Sequence, residues 1–126
     1  MDRVGEIWEV GHMKVSASRD IPKKPVQMDG ASGVEIRILI GKDDGAENFV
    51  MRMFELQPGG HTPFHAHPHE HEVFVVAGEG VVDFEGREHP LEPEHVVFVP
   101  GGTEHNFKNT GDSVLRFLCL IPAGAA

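Results

Sequence analysis

An all-β barrel or sandwich of at least about eight short strands is the fold class this sequence predicts. Three observations lead to it. Apolar and β-branched residues alternate in runs of strand length, beginning with Val34-Glu-Ile-Arg-Ile-Leu-Ile40. The runs are separated by turn-forming clusters, drawn from 15 Gly and 9 Pro among 126 residues, at spacings of about 8 to 15 residues. No segment carries a convincing apolar stripe of helical period.

The elements follow in order. Residues 1–12 precede a second methionine, Met13, and are expected to be an N-terminal extension, an upstream start or a cloning remnant, although Trp8 would also suit an added strand or a dimer contact. Residues 13–126 then form one domain, with a core from about 34 to 122. From Met13 to about Gly33 the chain is polar and punctuated by Pro22 and Pro25, with one short strand near Val26. Val34 to Ile40 is a strand and Gly41-Lys-Asp-Asp-Gly45 a turn. Asn48 to Leu56 reads as a long strand, ended by Pro58-Gly-Gly60. Val73 to Ala77 is a buried strand, Gly78-Glu-Gly80 a turn, Val81 to Phe84 a return, and Glu85-Gly86-Arg87 a turn again. Val96 to Val99, Glu104 to Asn109 and Val114 to Ile121 complete the set.

Composition narrows the function classes. A net charge of −9 excludes the basic stripe that nucleic acid requires and offers nothing to an anionic membrane. No apolar run approaches the length of a membrane span. Cys119 is the single cysteine, so no intramolecular disulfide can form, and a reducing cytoplasm is the expected compartment.

The chemistry is concentrated in residues 59–72, Gly-Gly-His-Thr-Pro-Phe-His-Ala-His-Pro-His-Glu-His-Glu, which hold five of the nine histidines, at 61, 65, 67, 69 and 71. All five positions are odd, and on an extended backbone side chains two apart share a face. A strand here would present several imidazoles to one metal ion; the bland reading is a solvated His-rich tract.

Two motifs in this sequence resemble those of the cupin superfamily of small jelly-roll barrels. Gly59, five residues and His65-Ala-His67 match the first; Pro100-Gly-Gly102-Thr-Glu-His105-Asn-Phe-Lys-Asn109 matches the second at each marked position. Glu94 stands where a Gly usually opens the second motif, a departure that touches turn shape. The resemblance implies a double-stranded β-helix (jelly-roll) barrel and one divalent metal. In most metal cupins the third ligand is a Glu four residues after the second His; here that position is His71, followed by Glu72. Parity favours His71, since 71 shares a face with 65 and 67 and 72 does not. The stretch is similar to that of small prokaryotic cupins with four histidine ligands. It implies His65, His67, His71 and His105 around manganese, with iron, nickel or zinc as alternatives. Four neutral imidazoles would leave the ion its full charge.

The remaining candidates are secondary. His69, just after Pro68, is expected beside the ligands rather than on the metal, and His61 at the barrel mouth. His89 and His95 read as surface histidines. By parity Phe117, Cys119 and Ile121 share a face, and the resemblance puts that face on the pocket. Arg52 reads as a residue of the outer face; pointed inward, it would hold an anionic substrate. Phe54 and Phe107 read as core, and Glu72 and Glu104 as carboxylate partners of the ligating histidines. The resemblance implies a metal-dependent, dioxygenase-like oxidoreductase acting on a small molecule. A metal-dependent isomerase or lyase and a non-catalytic ligand or metal binder are the alternatives. It also implies a homodimer.

Overall fold

The computed structural model describes residues 13–125; the expectations for residues 1–12, Trp8 included, fall outside these. Among the described residues there are nine strands: β1 (Lys24–Pro25), β2 (Ser32–Ile40), β3 (Phe49–His61), β4 (His71–Ala77), β5 (Gly80–Phe84), β6 (Arg87–Leu91), β7 (Val96–Val99), β8 (His105–Asn109) and β9 (Leu115–Pro122). All pairings are antiparallel. They make one sheet in the order β6-β5-β8-β3-β9-β4-β7, with β2 also on β3 and β1 on β2. Leu91 of β6 and Val99 of β7 stand at opposite ends of that order, yet both belong to one buried cluster with Leu56, Val75, Leu115 and Phe117. The sheet is therefore curled upon itself into the expected jelly roll. Among the described residues no helix is long and apolar enough to cross a membrane.

The long strand β3 organises the barrel. Its even positions, Val50, Arg52, Phe54 and Leu56, share one face, and Val50 and Leu56 lie in the core cluster. On the other face Glu55 is 7% exposed and is approached by Lys23 at 3.2 Å, Arg37 at 3.4 Å and Arg116 at 3.4 Å. Arg37 also donates to the carbonyls of Ser18, Arg19 and Ile21. These bonds strap the segment before β1 across the outside of β2 and β3. Burial raises the Glu55 carboxyl pKa, but the Lys23 and Arg37 charges and hydrogen bonds outweigh it and hold the group below its ordinary value.

Three boundaries differ from expectation. Pro58-Gly-Gly60 does not end β3: Leu56 pairs with Val34 and His61 with Ser32, so five steps on β3 face two on β2 and the extra residues bulge outward. Arg87–Leu91, expected to begin as a turn, is a strand at the end of the sheet order, where an edge strand tolerates Pro90. Residues 62–70, expected as a strand that stacks imidazoles, form a loop with an isolated bridge between His65 and His105. Pro63 and Pro68 remove the donors a ladder would need.

Glu94, in place of the usual glycine, has φ 76°, and its backbone N–H donates to the Val75 carbonyl at 2.8 Å. The left-handed conformation costs a side-chain-bearing residue about 1–2 kcal/mol, while glycine costs about 0.5–1 kcal/mol in chain entropy. Replacing Glu94 by Gly should therefore stabilise the protein by about 0.5–1 kcal/mol, read as a raised urea midpoint with unchanged slope.

Candidate metal centre and cavity

The loop carrying His65, His67 and His69 is pinned to the turn and strand that carry His105. Thr62 donates its backbone N–H to the Phe107 carbonyl and accepts the Phe107 N–H on Oγ1, both at 2.9 Å. Asn106 donates to the Thr62 carbonyl at 3.1 Å. His65 and His105 exchange backbone hydrogen bonds at 3.2 Å each, and Gly102 N–H donates to the His67 carbonyl at 2.6 Å. Both glycines of Pro100-Gly-Gly102 are required here, for different reasons. A Cβ at Gly101 would overlap the Pro68 carbonyl oxygen, while Gly102 has φ 81°. Asn109, the last residue of the same motif, is buried and serves the fold: it donates to the carbonyls of Leu56 (2.9 Å) and Ser113 (2.8 Å) and accepts from Gly111 N–H.

The histidine rings converge. Centroids of His65 and His67 are 4.2 Å apart, His67 and His71 5.2 Å, and His71 and His105 5.3 Å. His69 is closer than its expected supporting position: its ring lies 4.8 Å from His67 and 5.0 Å from His71. The ligand-capable nitrogens of His67, His69 and His71 are within 4.8 Å of one another. His65, His67, His71 and His105, but not His69, line a cavity of about 470 Å³. His69 is thus close to His67 and His71 but stands outside the cavity lining.

Backbone carbonyls fix the orientation of two of the imidazoles. His65 Nδ1 lies 3.1 Å from the Pro63 carbonyl and His105 Nδ1 2.9 Å from the Thr103 carbonyl. A carbonyl only accepts, so each Nδ1 carries a proton, and in the neutral ring the lone pair is on Nε2. The Nε2 atoms of His65 and His71 are buried without a hydrogen-bond partner, which costs free energy unless another group satisfies them. His71 Nδ1 is 3.6 Å from Cys119 Sγ. Burial first, then the charges of neighbouring His and Arg52, lower the pKa of His67 to about 4 and of His71 to about 3. His105 is also lowered, mainly by burial, against the Thr103 hydrogen bond. For His67, His71 and His105 the neutral ring a metal requires is thus the stable form at neutral pH.

Strand register builds the rest of the wall. Ile38, Arg52 and Cys119 lie directly across from one another on β2, β3 and β9, as do Ile36, Phe54 and Phe117. Residues so aligned share a face, and all six line the cavity. Arg52 thus belongs to the inner wall, correcting the outer-face expectation. The alternation Val50-Arg52-Phe54-Leu56 was the signal that pointed inward. Arg52 Nη2 donates to Cys119 Sγ at 3.1 Å. Phe54 is a cavity residue rather than pure core, stacked on Phe117 at 5.4 Å, and Phe107 is both.

The carboxylates are elsewhere. Glu72 is exposed on the outer face with Phe74, Val96 and Phe98, and Glu104 is exposed. Among the described residues neither bonds a histidine; backbone carbonyls and Cys119 take that role. His61 is half-buried at the end of β3, its Nδ1 3.4 Å from the Thr62 carbonyl. His89 is half-buried against Phe84, with its Nε2 unpartnered, rather than solvated. His95 is exposed as expected, its Nδ1 accepting the Glu92 N–H at 3.2 Å.

Metal-free protein should lose stability as pH falls from about 6.5 toward 4. The unfolded chain binds protons on these histidines there while folded His71 does not, a slope of up to about 1.4 kcal/mol per pH unit from His71 alone. Urea denaturation across this range checks it, and His71→Asn should flatten the curve.

Comparison with known proteins agrees with this geometry. Residues 52–121 match the cupin domain family. An oxalate-binding protein of Thermotoga maritima is 33% identical over 114 residues, 86% of this chain and 93% of that protein. A 1-methylthio-D-xylulose 5-phosphate methylsulfurylase of Rhodospirillum rubrum is 34% identical over 73 residues, 58% of this chain and 47% of that protein. The solved structure of the polyketide cyclase RemF from Streptomyces resistomycificus superposes with a TM-score of 0.84 at 34% identity, covering 88% of this chain and 80% of that one. With both motifs, the curled sheet and this match in hand, the chain belongs to the cupin family.

Proposed function

We propose that the chain is a metalloenzyme in which His65, His67, His71 and His105 hold one divalent ion, manganese foremost, against the apolar cavity. The observation that carries this reading is the orientation of the rings. Backbone carbonyls commit the Nδ1 protons of His65 and His105, and the buried Nε2 atoms of His65 and His71 are left without partners. His69 is assigned a supporting place, because it does not line the cavity with the other four. When bound, the ion supplies a Lewis-acid charge and a template for a small, oxygen-bearing substrate. Phe54, Phe117 and the isoleucines of β2 hold the substrate's apolar part and exclude water, and Cys119 fixes the His71 ring from behind.

The reaction class we favour is rearrangement without oxidation, by an isomerase, lyase or cyclase. Two observations favour it over the dioxygenase-like oxidation that the sequence suggests. One is the similarity to a protein named a polyketide cyclase. The other is the Cys119 thiol against a ligand ring, a group that oxygen chemistry beside it would oxidise.

Metal analysis of untagged protein should give about one ion per chain. His65→Ala and His71→Ala should abolish it, and His69→Ala should retain it. Loss of metal in His69→Ala with retention in His65→Ala would replace the set with His67, His69 and His71. Once a substrate is found, turnover should proceed at the same rate under argon; stoichiometric oxygen uptake would restore the oxidoreductase reading.

We further propose a homodimer built on the outer face of β7, a terminal strand of the sheet order. Phe74, Val96 and Phe98 are 41%, 74% and 58% exposed on that side, a contiguous apolar surface of the kind that marks an interaction site. Sedimentation should give twice the chain mass, and Phe98→Glu should give the monomer mass with an unchanged circular dichroism spectrum.

A further inference from the structure

We propose that the cavity takes an apolar, ring-bearing organic anion, with Arg52 as the residue that receives its negative group. The inference rests on the enzyme reading for the location of the site and names the class of molecule that fills it.

The sign of the cavity comes first. In a chain of net charge −9, the lining contains Arg52, Lys24 and four imidazoles, and no Asp or Glu. With the imidazoles neutral, the charges of this lining are Arg52 and Lys24, so an acidic protein carries positive potential in this cavity.

The state of Arg52 is the second observation. Among the described residues no carboxylate lies within ion-pair distance of it, whereas Lys23, Arg37 and Arg116 all share Glu55. Its Nη2 donates to a thiol, a weak acceptor, and its Nε is buried without a partner. The guanidinium carbon sits 5.0 Å from the Phe54 ring centroid, which steadies the side chain in its inward pose. A half-buried charge without a counter-ion is costly to keep. A ligand carboxylate or enolate would supply the missing counter-ion, and the planar fork of the guanidinium suits such a group.

Shape supplies the third. Beyond its polar residues the wall is Val34, Ile36, Ile38, Phe54 and Phe117, with Met28 from the segment between β1 and β2. Phe54 and Phe117 stack with an interplanar angle of 20°, so a flat ligand can lie along them. A cavity of about 470 Å³ is in the size range of drug-sized molecules, far more room than a two-carbon diacid uses.

The test uses 2-naphthoate and its neutral counterpart 2-naphthamide, titrated by calorimetry into metal-loaded and metal-stripped protein. Wild type should bind the acid at least about tenfold more tightly than the amide in both forms. The metal-stripped arm removes any direct hold of the ion on the carboxylate. In Arg52→Gln the preference should fall to about one, and Arg52→Lys should keep part of it. The proposal is overturned if the amide binds wild type as well as the acid, if Arg52→Gln keeps the preference, or if neither compound binds below millimolar concentration. Should Arg52→Gln not fold, the wild-type pair and Arg52→Lys still decide. No turnover is measured, so a failed enzyme reading leaves this result standing, and a failure here leaves the metal site intact.

Discussion

The site depends on one contact, the clamp between residues 62–68 and the Pro100-Gly-Gly102 turn with β8. Neither half is rigid by its own secondary structure, since one is a loop and the other a turn leading into a five-residue strand. The reciprocal His65–His105 bonds, the Gly102 bond to His67 and the double Thr62–Phe107 link turn them into one unit. The close approach of Gly101 to Pro68 sets the spacing. This clamp brings the first-motif histidines into register with His105, about forty residues downstream in sequence. It also explains why the second motif needs two adjacent glycines while contributing a single imidazole.

A second constraint is the sidedness of β3. Its outer face buries Glu55 among three cations, and its inner face half-buries Arg52 with none of the described carboxylates. The contrast is informative because the same strand, three residues apart, satisfies one charge fully and leaves the other open. Removing a partner from the Glu55 network would strand a buried charge, and such networks tie chain segments together. Arg52 ties nothing except the Cys119 thiol, which in turn touches His71. The outer charges maintain the barrel, and the inner one faces the cavity.

Much of the fold and part of the site was legible in the sequence. Alternation placed β2, β4, β7 and β9 to within two residues, because each has one face in the core and turn residues at its ends. The motif spacing singled out the four histidines that line the cavity. Local pattern misled where long-range geometry decides. Pro58-Gly-Gly60 looks like a terminator, but β2 pairs on both sides of it and carries the strand through a bulge. The odd-numbered histidines look like a strand face, but prolines break the ladder and the rings converge from a loop. That convergence is also why His69 lies nearer the others than expected. Arg52 was expected on the outer face because a charge inside an apolar strand usually faces solvent, whereas Phe54 packs against the core as expected and also lines the cavity. Only the strap of residues 14–23 over the outer face, held by Glu55 and Arg37, explains why both sides of that strand are covered.

The histidine at position 71 and the unpaired arginine at 52 bear on one electrostatic question. Most metal cupins, by resemblance, carry a glutamate in the third ligand position, and its charge would offset part of the ion's. Here the ring at 71 is neutral, held so by burial and by the neighbouring positive groups. Glu72, which follows it, points to the outer face, and Glu70, which precedes it, is exposed. A loaded site would therefore keep the full charge of the ion, with Arg52 added to it across the Cys119 contact. No carboxylate of the lining offsets either. Two positive centres facing one apolar space repel each other, and the low dielectric of that space strengthens the repulsion. An anionic ligand lying between them relieves both at once. Charge balance within the barrel thus favours the same class of molecule that the shape of the cavity and the open guanidinium favour separately.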